Sequence, residues 1–333
     1  MARALTVPPL VSGGLMLTYR CTNACRHCMY RCSPKRADSW ITLDDADAIL
    51  DALAAEPQLM DIHFAGGEAM LKPDLLAEII RRTVARGIGI SYLETNGFWA
   101  SSVDQAEAEF RKLADAGLDA VLISASPFHV EFIPWQRTRN CIEAAERVFG
   151  ASGTIVWTGE MARALDTLDP TRTHTCEEFL AAIGAEDQPE LLEHAYPIKP
   201  HGRVVEAMRD SYDKLPASAF ADQPCANRLE STVHFHIDPE GRLFTGSCPG
   251  ITVATHADYH PRISADSHPI TTRLHAGGPY GLMQWAVAEH GYAERAEGYI
   301  SECDLCYDVR SHVRGVTPDA YPELDADAFY AAD

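Results

Sequence analysis

Apolar runs alternate with amphipathic stretches through the first half of the chain. The runs with the length and composition of buried strands are 14–20, 59–65, 89–94, 118–124 and 153–158. The stretches with helical spacing of apolar residues are 42–55, 71–86, 103–116 and 137–149. Strands that alternate with helices of this length are typical of parallel β-α units. With a further strand expected at 195–198, the pattern predicts an α/β fold with a partial barrel.

After residue 200 the pattern changes. The stretch 232–238 alternates, Pro239-Glu240-Gly241 is a turn signal and 242–245 continues the alternation, which predicts a β-hairpin. Short helices are expected at 177–183 and 281–290. We therefore predict a barrel domain over residues 1–210 and a smaller domain over 211–333.

Composition excludes several classes of function. The chain of 333 residues has a formal net charge of −20, whereas nucleic acids and anionic membranes bind clustered positive charge. No run is long enough to span a membrane, and the first residues lack the pattern of a secretion signal. Ten cysteines without such a signal indicate a cytoplasmic protein in which metal binding is favoured over disulfides.

Three cysteines follow the first apolar run with the spacing C-x3-C-x2-C: Cys21, Cys25 and Cys28. Iron–sulfur clusters are normally held by four thiolates, so three leave one iron open for chemistry. A zinc site that adds His27 is the alternative. Cys32 follows the triplet, and we interpret it as a neighbour that does not ligate.

A second motif, Gly66-Gly67-Glu68, follows the second strand directly. Ligands of parallel α/β folds gather at the carboxyl ends of strands, and two glycines allow close backbone approach. A carboxylate at that place can accept hydrogen bonds from an ammonium group. A surface turn is the ordinary explanation of such a tripeptide alone, but its position after the cysteine loop favours a ligand site.

The two motifs together resemble those of the radical S-adenosylmethionine (radical SAM) superfamily. Tyr30 lies close to the place where that family carries an aromatic residue, although His27 occupies the place itself. The resemblance implies an incomplete (β/α)6 barrel and a [4Fe–4S] cluster whose open iron binds SAM. It also implies reductive cleavage of SAM to a 5′-deoxyadenosyl radical, which removes a hydrogen atom from the substrate.

The same resemblance extends to the next two strand ends. Thr95-Asn96-Gly97 corresponds to a Ser/Thr-Asn-Gly motif near SAM, and an ordinary Asn-Gly turn is the alternative. Ser124 stands where the family carries Ser-x-Asp, but the acid is missing here. We expect Gly66, Gly67, Glu68, Thr95, Asn96 and Ser124 to contact SAM. His129 and Glu131 follow the fourth strand and are candidates for substrate contacts.

A second cysteine set lies in the C-terminal third: Cys225, Cys248, Cys303 and Cys306. Four thiolates fit a closed metal site, and structural zinc is one interpretation. The arrangement around the hairpin is similar to the SPASM and Twitch auxiliary domains of radical SAM enzymes, with a longer gap before Cys248. The resemblance implies an auxiliary [4Fe–4S] cluster that anchors substrate or accepts an electron.

The substrate is predicted from one further observation. Only twenty residues precede Cys21, too few for the leader-binding domain of many peptide-modifying relatives, so a small-molecule substrate is expected. The alternative enzymatic function is maturation of a ribosomally made peptide. A third hypothesis is a zinc-stabilised binding protein without catalytic activity. The enzyme hypothesis implies a low-potential electron donor such as ferredoxin or flavodoxin.

Overall fold

An open, mostly parallel sheet forms the centre of the computed structural model, which describes residues 5–186, 188, 191–192 and 199–331. Its strands are β2 (Ser12–Met16), β3 (Asp61–Ala65), β4 (Ile90–Thr95), β5 (Val121–Ser124), β6 (Thr154–Trp157), β7 (Phe235–Ile237), β8 (Arg242–Phe244) and β9 (Ala254–Thr255). Their spatial order is β6-β5-β4-β3-β2-β7-β8-β9. In the described part of the chain β6 and β9 remain at opposite ends, so the prediction of an α/β partial barrel is confirmed.

The helices that cover the outside of this sheet are α1 (Leu43–Ala54), α2 (Pro73–Ala85), α3 (Val103–Ala116) and α5 (Trp135–Phe149). The short helix α4 (Pro127–Val130) follows β5 directly and packs in a separate core cluster that includes Cys25. Phe64 and Leu93 of the sheet are fully buried in one core with Ile79 and Phe110 of the helices. Side chains of opposite parity along the strands, such as His63, are thereby left to the concave side.

Local signals explain where these helices start and stop. The Thr42 hydroxyl accepts a hydrogen bond from Asp45 N, as expected for the cap of α1. Ser102 caps α3 in the same way, and Gly117 ends that helix with φ 115°. None of the described helices combines the length and apolar character needed to cross a membrane.

The remaining elements are short or lie in the C-terminal third. They are β1 (Leu5–Thr6), α6 (Gly159–Leu165), α7 (Cys176–Ala182), α8 (Val204–Ala207), α9 (Ala226–Leu229), β10 (Arg262–Ile263), α10 (Pro269–His290), α11 (Glu302–Val316) and α12 (Asp327–Tyr330). β1 pairs with β10, so the start of the chain is held against its C-terminal part. The long helices α10 and α11 pack against each other.

Some elements differ from the prediction. The first strand ends at Met16 rather than residue 20, because the carbonyls of Thr18 and Arg20 bond to Gly67 N and Glu68 N instead of continuing a ladder. The helix expected at 281–290 begins at Pro269 and is interrupted at Gly278. The strand expected at 195–198 lies outside the described residues.

The predicted hairpin is present, but it is not a sheet of its own. β7 pairs in parallel with β2, and β8 pairs with β7, so the hairpin extends the central sheet. This pairing places the C-terminal third directly beside the first strand of the barrel. The division into domains 1–210 and 211–333 stays a prediction.

Candidate functional site

The loop after β2 brings three thiols to one cavity. Cys21, Cys25 and Cys28 line a cavity of about 500 Å³ beyond the carboxyl ends of the parallel strands. Asn23 N donates to Cys21 Sγ over 3.4 Å, and Cys32 N donates to Cys28 Sγ over 3.4 Å. Hydrogen bonds of this kind to sulfur are among the contacts by which proteins tune iron–sulfur clusters.

Two further observations bear on whether a metal centre fits these thiols. The buried Asn23 side chain also lines the cavity and hydrogen-bonds with the Cys25 thiol, which favours the thiolate form. Burial raises the pKa of Cys21 to about 12, so metal binding at this thiol would release a proton. The loop therefore offers three thiols at one cavity and an amide that favours the thiolate form of one of them, which fits a bound metal centre.

The cysteine loop is clamped by an arginine that sequence reasoning missed. Arg203 donates from Nη1 to Cys25 O and from Nη2 to Cys32 O, both over 2.9 Å, and its backbone N donates to Cys28 O. The preceding Gly202 has φ 64°, and a Cβ there would lie 2.6 Å from Cys28 O. No local signal connects this Gly-Arg pair to a loop about 175 residues earlier.

We expect Arg203→Ala to loosen the loop. Each hydrogen bond from a charged group contributes about 1.5–3 kcal/mol, so the free energy of unfolding should fall by roughly 3 kcal/mol. Arg203→Lys keeps the charge but not the two parallel donors of the guanidinium, so its free energy of unfolding should fall by about half as much. Urea unfolding of both variants, with the exposed Arg139→Ala as the control, measures this difference. An unchanged midpoint for Arg203→Ala would show that the clamp is not a stabilising contact.

The diglycine turn packs directly against the entrance to the cysteine loop. Gly66 has φ 124°, a conformation that disfavours other residues. A Cβ at Gly67 would lie 1.9 Å from Arg20 O, and Gly67 N donates to Thr18 O over 2.7 Å. The two glycines are therefore required for the close approach of the two motifs, whatever they contact besides.

Gly67→Ala should be the most damaging single-methyl change in this region. The contact is with backbone atoms, which cannot move aside as a side chain can, so we expect a loss of at least about 3 kcal/mol. Gly315→Ala, in α11 with nothing within 4 Å of the added Cβ, is the matched control and should be neutral or slightly stabilising. Thermal unfolding compares the two, and equal effects would contradict the packing described.

Glu68 connects the diglycine turn to the end of β4. Its carboxylate accepts hydrogen bonds from Met70 N, from the Thr95 hydroxyl over 2.9 Å and from Asn96 N over 2.8 Å. Burial raises the pKa of Glu68 to about 7, although the three hydrogen bonds act in the opposite direction and lower it. A carboxylate has about four acceptor positions, so one stays available for a ligand in the cavity.

Asn96 extends this network to the cysteines. Its Nδ2 donates to Thr22 Oγ1 over 3.0 Å and lies 3.7 Å from Cys21 Sγ. All six residues expected to contact SAM line the same cavity as the three thiols: Gly66, Gly67, Glu68, Thr95, Asn96 and Ser124. The structure thus brings together the motifs of four strand ends.

The two candidates for substrate contacts differ in position. His129 lines the cavity, its Nδ1 lies 2.7 Å from Ser126 Oγ, and burial lowers its pKa to about 4. The Glu131 carboxylate instead accepts a hydrogen bond from Arg26 Nη2 over 2.7 Å and is not part of the cavity wall. Only the histidine is placed to meet a bound molecule directly.

The second set of cysteines also converges. Cys225, Cys248, Cys303 and Cys306 line one small cavity between β8, α9 and the start of α11. Arg228 Nη1 lies 2.9 Å from Cys303 Sγ. His201 and Ser247 belong to the walls of both cavities, so the two cysteine sites are neighbours.

Sulfur spacing bears on the zinc alternatives. Ligand sulfurs of one tetrahedral zinc ion lie about 3.8 Å apart. A metal ion needs three or more ligand atoms close together. Among the described residues, His63, His234 and His236 have ligand atoms within 4.8 Å of one another, and this group contains no cysteine. Within the part of the chain that the structure describes, neither cysteine set therefore has three sulfurs within 4.8 Å of one another.

Comparison with known proteins gives matches in the part of the chain that contains the first of these sites. Residues 15–159 match the family model described as the radical SAM superfamily. The chain is 31% identical over 148 residues to the PqqA peptide cyclase of Granulibacter bethesdensis, which covers 44% of this chain and 33% of that protein. It is 33% identical over 122 residues to the PqqA peptide cyclase of Gluconobacter oxydans, which covers 36% of this chain and 32% of that protein.

The chain spans about a third of the length of these curated relatives. Among solved structures, BtrN in complex with AdoMet and 2-DOIA aligns with a TM-score of 0.44 and 10% identity, over 82% of this chain and 90% of that one. The matched segment is less than half of this chain, and it contains the first three cysteines and the diglycine turn, so the similarity to the radical SAM superfamily lies in residues 15–159.

Proposed function

We propose that the chain is a radical SAM enzyme whose catalytic cluster is held by Cys21, Cys25 and Cys28. The observation that carries the proposal is the meeting of these three thiols with the Gly66–Glu68 turn in one cavity of about 500 Å³. When bound there, the cluster and SAM would supply electron transfer to the sulfonium and a 5′-deoxyadenosyl radical that takes a hydrogen atom from substrate.

The side chains around the cavity have distinct parts in this proposal. The Glu68 carboxylate keeps one acceptor position for the amino group of SAM. The Thr95 hydroxyl and Asn96 N hold this glutamate carboxylate in place by hydrogen bonds. Asn96 holds the sulfur of Cys21 on its other side. Ser124 offers a hydroxyl from the next strand end. His129 lies at the wall, where its imidazole can contact substrate.

We propose that the second cysteine set holds an auxiliary [4Fe–4S] cluster, as in the Twitch type. Arg228 beside Cys303 supplies positive charge to the thiolates. Because His201 and Ser247 line both cavities, the distance for electron transfer from a substrate radical to this centre would be short. Such a role would make the net reaction a two-electron oxidation.

Two substrate classes remain candidates. A small molecule is one candidate, because a cavity of about 500 Å³ is large enough to hold one. A ribosomally made peptide is favoured by a different observation, since the curated relatives are peptide cyclases. A short precursor peptide encoded beside this chain, and modified by it with SAM and reductant, would decide for the peptide.

The proposal is tested by anaerobic reconstitution with iron and sulfide. We expect a brown protein with about eight irons that forms 5′-deoxyadenosine from SAM under dithionite even without substrate. The binding-protein alternative predicts a colourless, air-stable protein with zinc and no iron or sulfide. Iron incorporation without 5′-deoxyadenosine would reject the enzyme and keep the cluster.

A further inference from the structure

Three histidines from two separate strands meet at the wall of the main cavity, and none of them belongs to either cysteine set. They are His63 on β3, His236 on β7 and His234 just before β7. One ring nitrogen of each lies within 4.8 Å of the other two. His234 and His236 line the cavity, together with Tyr92, whose ring stacks on that of His63 at 4.9 Å.

Strand register brings the histidines together. Gly14 of β2 is paired with His63 on one side and with His236 on the other. A Cβ at position 14 would lie 2.5 Å from His63 Nε2 and 3.0 Å from His236 Nε2. Only a residue without a side chain leaves the space above β2 into which both imidazoles project.

The hydrogen bonding of these histidines is incomplete. His63 is 1% exposed and His236 is 4% exposed. Nevertheless His63 Nε2 and His236 Nδ1 have no hydrogen-bond partner among the described residues. Buried polar atoms are normally paired, and an unpaired one costs about 1–3 kcal/mol, so one unpaired nitrogen on each of two neighbouring rings indicates a missing ligand.

The spacing of the rings matches one tetrahedral ion. With metal–nitrogen distances of about 2.0–2.1 Å and a further ~1.2 Å to the ring centre, imidazoles on one zinc ion have centres about 5.2 Å apart. The three centre-to-centre distances here are 4.9, 5.2 and 5.4 Å. The Glu94 carboxylate lies 3.8 Å from His63 Nε2 and can balance the charge of the ion.

We propose that His63, His234 and His236 form a site for a divalent transition-metal ion, with zinc as the best-matched ion. Three imidazoles leave the fourth position of such an ion open, and because His234 and His236 line the cavity, an oxygen or nitrogen donor of a molecule bound there could occupy it. This site does not depend on the radical chemistry, because none of its ligands belongs to either cysteine set.

The test uses the full-length chain, reconstituted with iron and sulfide, and one equivalent of Zn²⁺ as the probe. Zinc-edge X-ray absorption should show nitrogen and oxygen neighbours at about 2.0 Å with the outer scattering of imidazole, and no sulfur at about 2.3 Å. Sulfur in the first shell would assign the zinc to the cysteines and overturn the proposal.

Variants make the assignment specific. His63→Gln combined with His236→Gln should lower zinc affinity at least 100-fold in a chelator competition, and His234→Gln at least tenfold. His234→Gln changes an exposed side chain, so it keeps the test valid if the buried His63 and His236 are needed for folding. His275→Gln, a histidine paired with Glu230 elsewhere, is the matched control and should bind zinc as the native chain does. Equal affinity in all four proteins would refute the site.

Discussion

Replacing Cys21, Cys25 and Cys28 together by Ala will remove about half of the reconstituted iron and abolish formation of 5′-deoxyadenosine. The reason is that these thiols are the protein ligands assigned to the catalytic cluster, while the second cysteine set is untouched. Iron and sulfide analysis, followed by chromatography of the SAM reaction under dithionite, measures both effects. Retained SAM cleavage would refute the assignment.

Cys32→Ala is the control for this triple variant, because Cys32 lies in the same loop and is equally buried. Its backbone N–H donates to Cys28 Sγ, which alanine keeps, and its thiol hydrogen-bonds with the Cys28 thiol, which alanine removes without touching an assigned ligand. We expect Cys32→Ala to keep the iron and the SAM cleavage activity. A loss as large as that of the triple variant would make Cys32 a ligand and exclude an open iron.

The second large effect concerns the C-terminal set. Replacing Cys225, Cys248, Cys303 and Cys306 by Ala should leave about four irons per chain and preserve uncoupled SAM cleavage, because the first cavity keeps its own ligands. Product formation from the true substrate should stop. Cys141→Ala, which removes a buried thiol outside both cavities, is the control and should keep all the iron. If the quadruple variant lost all iron while remaining folded, the two centres would not be independent.

Much of this architecture could be predicted because it depends on local sequence patterns. Strand and helix periodicity fixed the order of β-α units, and residues that end successive parallel strands necessarily meet at one edge of the sheet. For that reason Cys21, Glu68, Asn96 and Ser124 were expected together, and they line one cavity. The turn residues around Gly241 likewise predicted the hairpin.

What the sequence did not reveal depends on contacts between distant segments. Arg203 bonds to a loop about 175 residues away, and a single arginine carries no signal of such a partner. His63 and His236 meet only because β7 pairs in parallel with β2, whereas the hairpin was expected in a domain of its own. Glu131 looked like a cavity residue by position, yet Arg26 holds its carboxylate.

The most direct test of the central claim is electron–nuclear double resonance on the reduced chain with the C-terminal cysteines replaced, so that a single cluster contributes. SAM labelled with 15N in its amino group and 17O in its carboxylate serves as the probe. An iron left open by three thiolates should show hyperfine coupling to both labels, and the triple Cys21, Cys25 and Cys28 variant should show none. Bound SAM without coupling to either nucleus would contradict the account.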